Sequence, residues 1–303
     1  MPSSPVRSRT GSLALPLPVV STRAADFLAL TKPRLNLLVV ATTLAGYYLG
    51  ADSWDPALLA STVVGTALVA GGAAAFNEII ERDTDGLMRR TRTRPLPGGR
   101  MRVSTAVWFA VGLSIAGLAL LATGANGLAA GVAAATLLSY ALIYTPLKAK
   151  TSLSTLVGGV PGALPPMIGW AAATRTLSLE AWVLFAIVFL WQMPHFLAIA
   201  WLCREDYARA GLPMLPVVEP DGRSTAQQVV LYASVLVPVS LAPTLIGLAG
   251  RVYFAGALVM GIAFLLFGIQ FARERTNVNA RRLFLSSISY LPLLWGLMLG
   301  NHL

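Results

Sequence analysis

Three oxygen-bearing side chains recur at four-residue intervals near the start of the segment 77–97. They are Asn77, Glu81 and Asp85, and on a continuous helix residues four apart lie on one face. Carboxylate and amide oxygens are ligands of Mg²⁺, and a magnesium site is commonly completed by phosphate oxygens of a substrate. The spacing therefore indicates a Mg²⁺ site that acts on a phosphorylated substrate. The alternative is a solvated loop beside a membrane, in which these charges only fix the topology.

Basic residues near this acidic face and elsewhere in the chain supply partners for phosphate oxygens. Guanidinium groups bind phosphate in a bidentate geometry, whereas lysine acts as a point charge. The candidate phosphate-binding residues are Arg82, Arg89, Arg90, Arg94, Lys148, Lys32 and Arg34. Lys148 has the alternative role of fixing the membrane topology. Lys32 and Arg34 have the alternative role of reaching from an apolar run to the membrane interface.

Two further polar features lie within or just after the apolar run 180–203. Asp206 follows this run beside Glu205, where it is either a second metal carboxylate or part of a helix end with mixed charges. His195 lies inside the run, and a titratable side chain inside a membrane helix is a functional candidate by default. Histidine is a common axial ligand of heme iron. The alternative for His195 is a single hydrogen bond between two helices.

The elements that must position these residues are apolar runs of membrane-spanning length. Of the 303 residues, 56% are hydrophobic and only 12% are charged, whereas soluble domains carry about 25% charged residues. Nine runs approach or exceed the length that crosses a bilayer, about 20 residues. They are residues 30–50, 57–80, 103–124, 126–144, 153–173, 180–203, 227–249, 252–271 and 283–301. The sequence therefore predicts an all-α polytopic membrane protein, a bundle of about nine transmembrane helices.

The chain is predicted to consist of a short tail and one membrane domain. Residues 1–26 contain Ser, Pro and Arg and have no acid before Asp26, so we expect a disordered tail followed by a single transmembrane domain at 27–303. A transit peptide has a similar composition, but the prolines disfavour a clean amphipathic helix. The third and fourth runs are joined so closely that they predict an antiparallel helical hairpin. A Gly- and Pro-rich stretch, residues 158–166, predicts room for a bulky flat ligand; the alternative is close helix packing or a kink.

The distribution of basic residues predicts the orientation of the bundle. Of the 23 lysines and arginines, only Arg175 and Arg251 fall in the loops on one side of nine spans. The positive-inside rule then places the N-terminus and the Asn77 segment in the cytoplasm and the C-terminus on the opposite side. Because topology accounts for the net charge of +10, we expect no nucleic-acid partner. The single cysteine, Cys203, excludes an internal disulfide and a multi-cysteine metal site.

A set of short motifs between residues 31 and 216 carries a family resemblance. The main motif consists of Asn77, Glu81-Arg82-Asp83-Thr84-Asp85, Met88-Arg89-Arg90-Thr91 and Arg94-Pro95-Leu96. The supporting motifs are Thr31-Lys32-Pro33-Arg34, Tyr144-Thr145-Pro146-Leu147-Lys148, Trp191-Gln192-Met193-Pro194-His195-Phe196, Glu205-Asp206-Tyr207 and Ala210-Gly211-Leu212-Pro213-Met214-Leu215-Pro216. Together they resemble the UbiA-type intramembrane prenyltransferases, and within these the heme O synthase branch.

The resemblance implies a farnesyl diphosphate-dependent transferase. Its reaction would convert heme B to heme O by joining a farnesyl group and water to a heme vinyl group, with release of diphosphate. The resemblance also implies roles for the candidate residues. The implied catalytic residues are Asn77, Glu81, Asp83, Asp85 and Asp206. Of these, Asn77, Glu81, Asp85 and Asp206 are the implied Mg²⁺ ligands. The basic residues named above are implied to bind diphosphate, and His195 is implied to bind heme.

Two positions depart from the family pattern, and two other functions stay open. Glu81 stands where the family usually has Asp, and Ala210 stands four residues after Asp206, where the wider superfamily has a second acid. The open alternatives are prenyl transfer to another aromatic acceptor, such as a quinone precursor, and carriage of an anionic lipid. Acids clustered at one membrane face favour an enzyme, because transporters place their polar site near the bilayer midplane.

The expected location is a bacterial inner (plasma) membrane, which the short N-terminal tail favours over the mitochondrial inner membrane. The expected partners are farnesyl diphosphate, heme B and the lipid bilayer. A heme A synthase and a second copy of the chain are further candidate partners.

Overall fold

The computed structural model describes residues 22–303, and this part of the chain is helical and forms no β-strand. In chain order the helices are α1 (Arg23–Leu30), α2 (Pro33–Gly50), α3 (Pro56–Leu87), α4 (Val103–Gly124), α5 (Gly127–Leu138), α6 (Thr145–Leu147), α7 (Ser154–Ala163), α8 (Pro165–Thr174), α9 (Leu179–Leu202), α10 (Arg204–Arg209), α11 (Leu215–Val218), α12 (Arg223–Leu245), α13 (Arg251–Arg273) and α14 (Asn277–Gly300). Within residues 22–303, eight helical segments are long and apolar enough to cross a membrane, and α1 with α2 forms a further segment that is bent by 48°. The predicted all-α polytopic bundle is confirmed.

The N-terminal helix begins inside the range predicted for the tail. The Thr22 side chain caps α1, so the helix begins at Arg23 and the predicted boundary at residue 26 falls within it. Asp26 forms an ion pair with Arg100 at 3.0 Å, which ties α1 to the segment between α3 and α4. A hydropathy pattern misses this start because the first turn of α1 is charged. The rest of the predicted tail, residues 1–21, lies outside the described residues.

Helix α3 is the longest helix in the described residues and carries the predicted acidic face near its C-terminal end. Its start is capped by Asp55, whose Oδ1 accepts hydrogen bonds from the backbone N–H groups of Ala57 and Leu58 at 3.0 Å. The helix has 32 residues. It is about 48 Å long at a rise of 1.5 Å per residue, so it exceeds the ~30 Å hydrocarbon core of a bilayer. The helix therefore continues through Glu81 and Asp85, beyond the predicted apolar run.

Glycines allow two pairs of helices to approach closely. A Cβ on Gly72 of α3 would contact Ser114 Oγ of α4, and a Cβ on Gly169 of α8 would contact the carbonyl oxygen of Thr43 in α2. In lipid, small interfacial residues promote helix association, since the surrounding tails are as apolar as the side chains. Because α2 also packs against α3, these contacts organise α2, α3, α4 and α8 as neighbours.

The predicted hairpin of the third and fourth spans is confirmed. Helices α4 and α5 are separated by Ala125 and Asn126 alone. Asn126 caps α5 by accepting from the Ala129 N–H at 2.9 Å, and its Nδ2 donates to the Ala171 carbonyl of α8 at 2.9 Å. At the far end of α5, a π-helical turn at Ser139–Tyr144 leads into α6. Such turns are frequent at functional sites.

The Gly- and Pro-rich stretch, residues 158–166, packs tightly against its neighbours. A Cβ on Gly158 would contact the Tyr144 ring, and a Cβ on Gly162 would contact the Gln192 side chain. The chain passes from α7 to α8 through this stretch with only one residue between the two helices. Of the two interpretations of this stretch, the structure supports close helix packing.

The remaining long helices pack as a second group. Helix α9 contacts α12 and α14, and α13 contacts both α12 and α14. Helix α12 begins at Arg223 and α14 at Asn277, four and six residues before the predicted runs. The first turns of these helices are polar or charged, so hydropathy alone places their starts too late.

Candidate active site

The C-terminal part of α3 presents a buried polar face. Asn77, Glu81 and Asp85 expose only 3, 8 and 1% of their surfaces, and they lie together as their spacing predicts. Glu78 is also buried, with 2% exposed. It precedes Glu81 by three residues and Asp85 by seven, which are spacings of one helix face. We call these four residues the acidic stripe.

Two lysines reach the acidic stripe from other segments. Lys148, which follows α6, places Nζ 3.1 Å from both carboxylate oxygens of Glu81. Lys32 Nζ donates to Asn77 Oδ1 at 2.5 Å, and Asn77 Nδ2 donates to Thr145 Oγ1 at 3.2 Å. Lys32 occupies the break between α1 and α2 with a left-handed backbone, φ 47°. The bend of the first span thus brings a cation to the stripe.

Arg94 pairs with two carboxylates of the stripe. Its Nη1 donates to Asp85 Oδ2 at 2.6 Å, and its Nε lies 3.6 Å from Glu78 Oε1. The segment after α3 folds back to deliver this arginine, because Thr91 Oγ1 donates to the backbone carbonyl of Asp85 at 2.8 Å. Burial of these carboxylates would be costly without paired cations.

Two carboxylate oxygens of the stripe have no hydrogen-bond partner among the described residues. They are Glu78 Oε2 and Asp85 Oδ1, and both are buried. Buried polar atoms are nearly always hydrogen-bonded, so two free acceptors two turns apart on one helix face need an explanation. Carboxylate oxygens suit a hard divalent cation such as Mg²⁺. Across residues 22–303, no three or more His, Cys, Asp or Glu side chains are already arranged around a common metal position.

The second acidic segment meets the segment that follows α3. Asp206 Oδ1 accepts from the Arg89 backbone N–H at 3.4 Å and from Arg209 Nη1 at 2.5 Å. Burial acts to raise the pKa of Asp206, but the hydrogen bonds from Arg209 and Arg89 outweigh it and lower the pKa below its usual value. The Tyr207 hydroxyl accepts from Arg90 Nη2 at 3.0 Å. The two acidic segments therefore converge at one end of the bundle.

His195 lies on α9 against α14. Its Nδ1 is 2.7 Å from Ser287 Oγ, and Ser287 Oγ donates its own proton to the Phe284 carbonyl at 2.6 Å. Ser287 must therefore accept from His195, which assigns the imidazole proton to Nδ1 and leaves Nε2 with a free lone pair. The imidazole also stacks on Trp191, with ring centroids 5.3 Å apart. The histidine makes a hydrogen bond between helices and keeps one nitrogen able to bind a metal.

A comparison with known protein families identifies the family of this chain. The sequence profile of the UbiA prenyltransferase family matches residues 39–291, which is most of the chain. The chain belongs to the UbiA prenyltransferase family. Two family relatives are both named protoheme IX farnesyltransferase. The one from Solibacter usitatus is 52% identical over 284 residues, 90% of this chain and 97% of the relative. The one from Koribacter versatilis is 43% identical over 303 residues, 96% of this chain and 98% of the relative.

Solved structures share the fold of this UbiA-family chain. A structure of digeranylgeranylglyceryl phosphate synthase has a TM-score of 0.78 at 17% identity and covers 92% of this chain and 98% of its own. A UbiA homolog from Archaeoglobus fulgidus, solved bound to DMAPP and Mg²⁺, has a TM-score of 0.65 at 16% identity and covers 90% of this chain and 99% of its own. The bundle is therefore the UbiA fold.

Some residues predicted for the UbiA-type site lie away from the acidic stripe. Asp83 exposes 85% of its side chain and pairs with the exposed Arg82 at 3.4 Å. Two positions along a helix rotate a side chain by about 200°, so Asp83 points away from the face that holds Glu81. Arg34 is exposed on the first turn of α2, and Arg89 meets Asp206 through its backbone while its side chain is exposed. The geometry does not support a catalytic role for Asp83 or a phosphate role for Arg82 and Arg34.

Three residues of the UbiA-family site were given no role from the sequence, although two of them, Thr145 and Tyr207, lie in the quoted motifs. Glu78 had an available signal, since it shares the helical spacing of the stripe. Thr145 and Tyr207 reach the site only through tertiary packing. The Tyr207 ring lies 5.1 Å from the Arg90 guanidinium carbon and 6.0 Å from Lys148 Nζ, so it orients two cations by cation–π contact.

Proposed function

We propose that this chain is a protoheme IX farnesyltransferase that converts heme B to heme O. The observation that carries the proposal is the acidic stripe, in which buried carboxylates with free oxygens face cations from three other segments. Carboxylates bind a divalent cation and the cations bind phosphate oxygens, which are the two requirements of a prenyl diphosphate. The names of the relatives from Solibacter and Koribacter support this choice of substrate and acceptor.

The proposed metal is Mg²⁺, and the residues of the stripe fit it. Asn77, Glu81 and Asp85 would hold it together with Glu78, and Asp206 would contribute from the second acidic segment. The unpartnered oxygens Glu78 Oε2 and Asp85 Oδ1 are the structural support for this fit. Bound magnesium supplies neutralisation of the diphosphate charge. The solved Archaeoglobus homolog bound to DMAPP and Mg²⁺ lends further support.

The cations around the stripe are proposed to hold the diphosphate. Lys148, Arg94 and Lys32 already contact the stripe, and Arg90 lies beside them on Tyr207. Negative charge builds up on the diphosphate as its bond to carbon breaks. Fixed cations stabilise that charge without the cost of reorganising water.

The reaction itself requires no nucleophile from the chain. The bond between farnesyl C1 and the diphosphate oxygen breaks, and both electrons leave with the oxygen. The π electrons of the heme vinyl group form the new carbon–carbon bond, which leaves a cation on the carbon next to the porphyrin. Water adds to that carbon and loses a proton, which gives the hydroxyethylfarnesyl side chain. The apolar bundle excludes water until the carbon–carbon bond has formed.

His195 is the proposed heme contact. Its Nδ1–H is held by Ser287, so Nε2 would be the nitrogen whose lone pair binds the heme iron. Neutral imidazole is a common metal ligand, and the hydrogen bond at the other nitrogen sets which nitrogen binds.

The proposed location is a bacterial inner (plasma) membrane with the N-terminus in the cytoplasm. The bias of the lysines and arginines supports this orientation, since only Arg175 and Arg251 fall on the other side. The acidic stripe would then face the cytoplasm. A heme A synthase that takes up the product, or a second copy of the chain, is the proposed protein partner.

The decisive experiment incubates the purified full-length chain with heme B, farnesyl diphosphate and Mg²⁺ and analyses the extracted heme by mass spectrometry. We expect a heme heavier by one farnesyl group and one water, formed only when Mg²⁺ is present. Unchanged heme, with the farnesyl group transferred to a different aromatic acceptor and diphosphate released, would overturn the heme assignment. Transport of an anionic lipid without any diphosphate release would replace the enzyme with a carrier.

A further inference from the structure

We propose that Lys148 and Arg94 are exchangeable counterions that make the binding of the divalent metal and of the prenyl diphosphate mutually dependent. The inference rests on the proposed function and adds to it how the two ligands enter the site. Its basis is an overlap of roles. The carboxylates that would hold the metal are bonded in this structure to the cations that would hold the diphosphate.

The contacts of Glu81 and Asp85 show how direct this overlap is. Both carboxylate oxygens of Glu81 lie 3.1 Å from Lys148 Nζ, so this lysine occupies the whole binding edge of Glu81. Asp85 Oδ2 lies 2.6 Å from Arg94 Nη1, while Asp85 Oδ1 has no partner among the described residues. The stripe is therefore open to a metal at Asp85 Oδ1 and Glu78 Oε2, whereas binding through both oxygens of Glu81 is blocked. A metal that binds both oxygens of Glu81 must displace Lys148.

The formal charges around the stripe explain why one ligand alone is disfavoured. The group contains three buried carboxylates, Glu78, Glu81 and Asp85, and three cations, of which Lys148 is buried and Lys32 and Arg94 are half-buried. A divalent cation alone would add positive charge next to the three cations. A diphosphate alone would add negative charge next to the three carboxylates. Uncompensated buried charge is costly, so either ligand alone is penalised.

The two ligands together remove both penalties. Lys148 and Arg94 can turn from carboxylate to phosphate oxygens, which frees Glu81 and Asp85 for the metal. The metal and the diphosphate then offset each other's charge as well. Linkage requires that the factor by which the diphosphate tightens metal binding equals the factor by which the metal tightens diphosphate binding. The stripe thus binds diphosphate strongly only with the metal that activates it.

The test measures Mn²⁺ binding to the full-length protein in detergent, with free Mn²⁺ quantified by electron paramagnetic resonance. Titrations run with and without farnesyl S-thiolodiphosphate, an unreactive analogue, and a protein-free titration corrects for Mn²⁺ bound by the analogue. In the wild type we expect the analogue to tighten Mn²⁺ binding by about tenfold or more, within the usual range of coupling between sites. In Lys148→Met we expect Mn²⁺ alone to bind about tenfold more tightly than in the wild type, with less than about threefold further tightening by the analogue.

Lys150→Met is the matched control. Lys150 is exposed two residues from Lys148, so the variant removes the same charge without touching Glu81. It should bind Mn²⁺ and the analogue as the wild type does. Equal affinity of Lys148→Met and wild type for Mn²⁺ alone would overturn the inference, because the lysine would then not compete with the metal. A wild type that binds neither Mn²⁺ nor the analogue would overturn the proposed function and the inference with it.

A second measurement covers the case in which Lys148→Met is poorly folded. Removing one partner of a buried ion pair leaves the other charge uncompensated and destabilises the fold. If the metal takes the place of Lys148, Mn²⁺ alone should raise the Tm of Lys148→Met more than that of the wild type. Arg94→Gln should behave in the same way, since Asp85 loses its partner. No extra Mn²⁺-dependent rise in either variant would contradict the exchange of counterions.

Discussion

Burial distinguishes two carboxylates of α3 that are only two residues apart. Asp85 is 1% exposed and bonded to Arg94, whereas the Asp83 side chain is 85% exposed. We expect Asp85→Asn, which keeps the shape of the side chain, to lower kcat for heme farnesylation by about 10²-fold or more, a typical loss for a group that stabilises developing charge. Asp83→Asn should stay within about twofold of the wild type, as expected for a surface substitution. Initial rates at saturating Mg²⁺ measure both, and equal losses would contradict the division of α3 into two faces.

The hydrogen bond from His195 to Ser287 gives a second prediction for single residues. Ser287→Ala removes the acceptor that holds the proton on Nδ1, so the imidazole can change tautomer. We expect the affinity for heme B to fall about fivefold, which corresponds to one hydrogen bond of ~1 kcal/mol. The Soret band of bound heme reports both the affinity and the ligand.

The matched control for Ser287→Ala is Ser289→Ala. Ser289 is exposed on the same helix and donates only to the Leu285 carbonyl. It should leave heme binding unchanged. Ser287→Thr should restore the affinity, because threonine keeps the hydroxyl. An unaltered Soret band and affinity in Ser287→Ala would argue against His195 as the heme contact.

The sequence predicts the site residues that lie close together on one helix. It does not predict contacts between residues that are far apart in the chain. Asn77, Glu81 and Asp85 follow from one helical period, and the same period excludes Asp83. The pairing of Lys148 with Glu81 has no sequence signal, since 67 residues separate the two. Tyr207 is equally hidden, because its position depends on how α10 docks against the segment that follows α3.

The packing of the helices depends on glycines at which two helix backbones approach closely. A Cβ on Gly169 would overlap the Thr43 carbonyl oxygen across the contact of α8 with α2, and backbone cannot yield as a flexible side chain can. We expect Gly169→Ala to lower the free energy of unfolding by about 1–3 kcal/mol, the usual cost of overpacking. Activity should fall as well, because Lys32 at the start of α2 moves with the helix. Thermal unfolding in detergent measures the change.

Gly131→Ala in α5 is the control for Gly169→Ala. No atom lies within 4 Å of the added Cβ, so only the intrinsic helix preference changes. That preference favours alanine by up to about 1 kcal/mol, so the variant should be as stable as the wild type or slightly more stable. A similar loss of stability in both variants would show that helix contact at Gly169 is not the cause.

The apolar runs predicted the helices, but their ends required the structure. Helix α3 extends seven residues past its run and α14 begins six residues before its run, since both helices continue through polar residues. Hydropathy reports where the lipid contact lies, whereas a helix ends where its backbone hydrogen bonds end. The break at Lys32 and the π-helical turn at Ser139–Tyr144 also lack a pattern, although both position site residues.

The number of membrane crossings determines on which sides the termini lie. Within the described residues, the eight apolar segments alone would place both ends of the bundle on the same side, whereas the bent pair of α1 and α2, counted as one span, makes nine crossings. An odd number places the termini on opposite sides. The basic residues near the N-terminus favour this count, since nine crossings place them on the side of the other basic loops and opposite Arg175 and Arg251.

Reporter fusions in a bacterial host test the whole topology. Alkaline phosphatase is active only outside the cytoplasm. Green fluorescent protein does not fluoresce after export through the Sec pathway, so its fluorescence marks a cytoplasmic position. We expect active phosphatase and no fluorescence when the reporters follow Leu303, because nine crossings carry the C-terminus across. Reporters inserted at Glu219, between α11 and α12, should give the reverse result and serve as the control. Three helices, α12, α13 and α14, lie between these two positions, so fluorescence at both would contradict the crossing of the membrane by one of these helices. Green fluorescent protein placed before Met1 tests the bent pair and should fluoresce. Loss of that fluorescence, with active phosphatase still found after Leu303, would put both termini outside the cytoplasm and mean that the bent pair does not cross, so that Lys32 would reach the acidic stripe from a re-entrant segment.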